Sequence, residues 1–152
     1  MTEQEERARV VACARAWIGT PYHMNARIRG VGVDCGQLII GVFADAGLVE
    51  AFDTGHSPID FHLNRREERY VAFVAQRLTE FPGPGKPGDV VMFHFGHSYS
   101  HGAVIVASEP LTVVHALIRV GEVIEEVLTR HSEVLAQSTP GKPPRFFTRW
   151  PT

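Results

Sequence analysis

Three prolines and three glycines crowd into the eight residues Phe81-Pro82-Gly83-Pro84-Gly85-Lys86-Pro87-Gly88. No helix or central strand runs through such a stretch, because proline lacks the amide donor and fixes its own backbone angle. The chain therefore folds as two textures on either side of it. Before it, apolar residues recur every three or four positions; after it, β-branched residues alternate or run in short blocks. Helices first and strands second, without strand–helix alternation, predict an α+β fold. In it, N-terminal helices pack on a C-terminal antiparallel β-sheet.

Thr2 with Glu5 forms a capping-box pattern, and Val10, Ala14, Trp17 and Ile18 follow at helical spacing, predicting a helix over 3–18 that Gly19 ends. Asp34 suits the N-cap of a second helix whose apolar face is Leu38, Ile39, Val42, Phe43 and Ala46, with Gly47 as its stop. Residues 50–63 read as irregular, and a third helix is expected over 65–80. Strands are expected at 90–95, 103–107, 112–117 and 123–127, and Phe146-Phe147 as an edge strand. At 152 residues the whole of 1–152 fits one domain.

Charge narrows the partners. With 15 Lys+Arg against 17 Asp+Glu, the chain offers neither nucleic acid nor an anionic membrane an electrostatic target. No run approaches the roughly 18 apolar residues of a membrane span. The acidic start, Met1 to Glu6, does not read as a secretory signal, so the chain is expected to be made in the cytoplasm. The two cysteines are too few for a disulfide framework and read as free thiols. Cys13, spaced with Val10 and Trp17, is expected to be a buried, inert residue.

Cys35 is different. It opens the second helix on the same face as Leu38 and Ile39, where unpaired backbone N–H groups favour a thiolate. His101 and His115 lie in strand-like segments joined around Ser108-Glu109-Pro110. A three-residue loop centred on Glu109 makes the paired positions sum to an even number, putting both histidines on one sheet face; a four-residue loop would separate them. A helix packed on that face would bring a cysteine nucleophile to a histidine base oriented by a second polar group. Taken singly, Cys35 reads as a packed core cysteine, either histidine as an ordinary hydrogen-bonded one, and Tyr22 as a plain loop residue. Two other patterns compete. Gly83 to Gly88 spells GxGxxG, but it follows a helix, precedes a strand and has two prolines inside it, which excludes a nucleotide loop. His94, His97 and His101 form a possible zinc series, weakened by Gly96 and the Ser98-Tyr99-Ser100 run.

Around these residues the chain resembles the NlpC-type cell-wall endopeptidases, a papain-like family of cysteine peptidases. The matching stretches are Trp17-Ile18-Gly19-Thr20-Pro21-Tyr22, Asp34-Cys35-Gly36-Gln37-Leu38 and Lys86-Pro87-Gly88-Asp89-Val90-Val91-Met92-Phe93. Ser100-His101-Gly102-Ala103-Val104-Ile105-Val106 and Val114-His115-Ala116 complete the set. The resemblance implies Cys35 as nucleophile, His101 as general base and acid, His115 as the orienting residue, and Tyr22 near the thiol, with no metal or cofactor. Its substrate would be the peptide stem of peptidoglycan, cut beside D-glutamate and a diamino acid. The Ala26-Arg27-Ile28-Arg29-Gly30-Val31-Gly32-Val33 approach and the 62–70 segment resemble the phage-tail and gene-transfer-agent subgroup. That implies a phage-like tail, with its tip or hub proteins as partners, carrying the enzyme to the wall. The chain departs from many members by having His23-Met24-Asn25 after the tyrosine and Gly36 after the cysteine. The alternatives are a tail-tip structural protein keeping the fold with little activity, and another papain-like thiol amidase or acyltransferase.

Overall fold

A computed structural model describes residues 1–50, 74–129 and 131–152. Helix α1 spans Glu3–Ala16; Thr2 caps it by accepting from the Glu5 amide at 3.1 Å. Helix α2 spans Cys35–Asp45 and is buried along most of its length, in keeping with its nearly unbroken apolar sequence. Between them Arg27–Ile28 (β1) and Gly32–Val33 (β2) form a small antiparallel ribbon that was not expected.

The main sheet contains Thr79–Phe81 (β3), Val90–Phe95 (β4), Ser98–Ser108 (β5), Leu111–Ala116 (β6), Val123–Val127 (β7) and Arg145–Thr148 (β8). Its order is β3-β8-β4-β5-β6-β7, every pair antiparallel. The strands at 90–95 and 123–127 have the expected bounds; β5 starts earlier than expected. Two expectations change. Phe146-Phe147 lies in an inner strand, because β3 pairs outside it, Phe81 facing Phe146. The outermost strand β3 is short and charged, and Glu80 holds Arg145 through two contacts of 2.8 and 2.6 Å. The expected helix over 65–80 is helical at 74–77 and gives way to β3 at Thr79; its earlier part, like the irregular stretch and the 62–70 segment, lies outside the described residues. A short helix, Glu133–Gln137, also escaped the periodicity, since five residues are too few to display it.

The sheet separates two cores. Even positions of β4 and β6, with Val104, join Val10, Ala14 and Trp17 of α1 and Leu38, Ile39, Val42 and Phe43 of α2 in one cluster. Odd positions (Val91, Phe93, Ala103, Ile105, Val113) pack with Leu117 and Val134 on the other side. Two glycines set how closely the layers approach. A Cβ on Gly41 would come within 2.6 Å of the Trp17 ring, and one on Gly102 within 2.6 Å of Ile39 Cδ1. The Pro-Gly segment is anchored by Arg7, which donates to the Pro87 carbonyl at 3.0 Å and pairs with buried Asp89 at 2.9 Å. Among the described residues no helix is long and apolar enough to cross a membrane.

Candidate active site

Asp34 builds the start of α2. Its buried carboxylate accepts from the Gln37 amide at 2.9 Å, as an N-cap should, and from the Asn25 amide at 2.8 Å. One side chain thus fixes both the helix and the loop leading into it. Cys35, half-buried, is the first helical residue, and its S–H donates weakly to the Ser100 carbonyl 3.7 Å away. The thiol therefore meets β5 at the residue before His101. Tyr22 bridges to Val33, two residues ahead of the cysteine, and its amide donates to Gly121 at 2.8 Å. An apolar recess beside the thiol is lined by Ile39, Phe43, Leu78, Met92 and Gly102, with Arg77 among its walls.

The two histidines do share a face, though by another route than the loop argument. The turn has two residues, Glu109 and Pro110, and Ser108 faces Leu111, an odd sum. A bulge at Val106 then absorbs one residue, and by Ile105↔Val113 and Val104↔Val114 the sum is even. Carried further, that register sets Ala103 opposite His115 and leaves His101 diagonal to it on the same face. Nε2 of His101 lies 2.8 Å from Nδ1 of His115, and both rings are buried.

This is the face opposite the one α2 covers. His101 neighbours Phe93 and stacks flat on Phe95, with ring centroids 5.0 Å apart and planes 2° from parallel. The sulfur thus does not approach across the sheet face, as the sequence reading assumed. It approaches at the end of the β5–β6 ladder, whose pairing begins at Val104↔Val114 and leaves Ser100 and His101 beyond it. A second bulge, at Ser100, bends β5 there, since Phe93 faces His101 while His94 faces Tyr99.

Burial, reinforced by His115 beside it, holds the His101 imidazole well below the usual histidine range of 6.5. The ring is therefore neutral at pH 7. With its Nε2 engaged by His115, its Nδ1 is the nitrogen left for a substrate or thiol proton. His115 in turn has Nε2 2.7 Å from Oε2 of Glu126, a short contact poorly aligned for an N–H bond. Glu126 was missed from the sequence. The signal was available in Val123-Ile124-Glu125-Glu126-Val127, where alternation turns one glutamate toward each face. Glu125 goes to the helical side and pairs with Arg15 at 3.0 Å.

Cys35 and the His101–His115 pair thus gather at one end of β5, with Tyr22 on the adjoining loop. The zinc series does not gather: Nδ1 of His94 bonds Thr139 at 2.9 Å and His97 is exposed. Among the described residues no three His, Cys, Asp or Glu side chains form a metal-binding cluster. Cys13 is half-buried against the α1 side of the core, short of the full burial expected.

The fold is papain-like, that of the NlpC/P60 domains. Among solved structures, the peptidoglycan hydrolase RipB of Mycobacterium tuberculosis matches with a TM-score of 0.63 at 16% identity, over 98% of this chain and 67% of that one. NlpC1 of Trichomonas vaginalis matches at 0.65 and 12% identity, over 99% of this chain but 45% of that one. The P60 domain of a Mycobacterium avium subspecies paratuberculosis antigen matches at 0.58 and 17% identity, over 98% of both. No protein-family model matches the sequence, and no curated protein does.

Proposed function

We propose that the protein is a cysteine endopeptidase that hydrolyses peptidoglycan stem peptides, beside D-glutamate and a diamino acid, and that it acts from a phage-like tail. Cys35 attacks the scissile carbonyl, and Nδ1 of His101 takes the thiol proton and returns it to the leaving amine. The resulting thioester is then hydrolysed by water that the same imidazole activates. His115 orients His101, and Tyr22 lies beside the thiol.

The observation that carries this reading is the 2.8 Å contact between His101 and His115 at the strand residue next to the one the thiol touches. A buried imidazole with its far nitrogen occupied has one remaining task-bearing nitrogen, and a helix-start cysteine is its neighbour in the fold. The solved structures of the same fold include peptidoglycan hydrolases, which supports the substrate class. The tail context rests on the sequence resemblance. The test is incubation with defined muropeptides followed by mass spectrometry. Release of two stem fragments at the D-glutamate bond is expected; intact muropeptides, or loss of ammonia alone, would overturn the peptidase reading.

A further inference from the structure

We propose that Glu126 is a positioning residue that sets which nitrogen of His101 carries the proton, acting through His115. The inference rests on the roles given above to Cys35 and His101. Both carboxylate oxygens of Glu126 are fixed from outside the pair: Oε1 accepts from the Glu133 amide at 2.8 Å and Oε2 from the Val134 amide at 3.2 Å. Oε2 also stands 2.7 Å from Nε2 of His115, a ring with no exposed surface. Register explains the meeting. Glu126 faces Val113 and His115 faces Ile124, so the glutamate and the histidine are diagonal neighbours on one face of β6 and β7.

Counting protons gives the consequence. At 2.7 Å a lone pair on Nε2 would face an ionised carboxylate, so a neutral His115 places its single N–H there even though the contact is poorly aligned for a hydrogen bond. Nδ1 of His115 is then an acceptor, and the 2.8 Å contact must be filled by the N–H of His101 Nε2. His101 is left with a bare lone pair on Nδ1, the form that can remove a thiol proton. Without the carboxylate, His115 is free to carry its proton on Nδ1. That would reverse the contact and put the His101 proton on Nδ1, where it blocks the base. Burial draws the Glu126 carboxyl upward, but His115 and the two amides outweigh it and hold the group below the usual carboxylate range. The acceptor is thus ionised at neutral pH.

Glu126→Gln is the informative change. The Glu133 amide keeps the remaining oxygen, and the new NH2 faces His115 Nε2 as a donor. The rate of Cys35 alkylation by iodoacetamide, followed by mass spectrometry from pH 5 to 9, is expected to fall about a hundredfold at pH 7. Stem-peptide kcat should fall with it while KM holds. Ser132→Ala removes the cap of the short helix without touching His115 and should leave the rate unchanged. An unaltered pH profile in Glu126→Gln, or equal losses in both variants, would overturn the proposal. The unsubstituted protein gives an independent check by nitrogen-15 NMR of the ring nitrogens: both histidines should be protonated on Nε2, and a proton on Nδ1 of His101 would refute it. Alkylation needs no substrate, so failure on muropeptides alone would count against the murein reading and leave this one standing.

Discussion

The two cysteines sit on helices of different texture, a charged α1 and a nearly unbroken apolar α2, and at different places along them. Cys13 is in the middle of α1, where every backbone N–H is already bonded within the helix. Burial, and then the charge of Asp45, push its thiol above the usual value. Cys35 opens α2, next to an aspartate whose two oxygens hold two amides, and its sulfur faces the strand that carries His101. The difference teaches that two half-buried thiols are set apart here by position relative to a helix boundary, not by residue type. Helix α1 serves as a packing layer; the first turn of α2 carries the candidate site.

The largest expected contrast is in turnover. Cys35→Ala should lower stem-peptide release from sacculi at least about a thousandfold, while Cys13→Ala stays within about twofold. Equal losses would erase the distinction. Alkylation sharpens it without substrate: at pH 7, peptide mapping should find Cys35 modified about tenfold faster than Cys13, and the reverse order would break the comparison.

Acidity probes the partner that Cys13 lacks. Because the His101 pKa is lowered, its basic form survives below pH 6.5, and the acid limb of kcat/KM should lie on the acid side of that value. The same shift bears on folding. The unfolded chain binds that proton more readily, so this contribution to stability is whole above about pH 6.5. It is lost as the pH falls through the lowered pKa, which a melting series from pH 7 to 4 would detect. The smallest contrast is between the helix caps. Asp34→Ala strands buried amides of Gln37 and Asn25 and should cost about 2 kcal/mol by urea unfolding. Thr2→Ala, at an exposed cap, should cost about 0.5 kcal/mol.

The parts legible in the sequence were those that depend on local chemistry. Asp34 announced α2, Thr2 announced α1, and β-branched alternation marked β4 and β7 to the residue. What was hidden depends on register and neighbours. The place of β8 inside the sheet follows from three residues of β3, too short to show a period. Residue type alone puts the helix on the histidine face, because a cysteine and a base facing each other need one surface. In the fold Cys35 instead meets β5 near its end, at the residue before His101, with Gly102 leaving room for Ile39 between sheet and helix. Glu126 was hidden for a related reason, since an isolated glutamate on an outer strand is an ordinary solvent residue until its diagonal neighbour is known.

The bulge at Val106 has a consequence for how this chain can change length. The turn after β5 alone would send His101 and His115 to opposite surfaces; the one spare residue in the strand restores them. Deleting a residue between Ile105 and Ala107 would leave the hairpin plausible and every side chain present, yet turn one imidazole away from the other. Insertions and deletions in this hairpin therefore keep the two rings together only in pairs, one in the turn offset by one in the strand, and a single one parts them by a loss of parity.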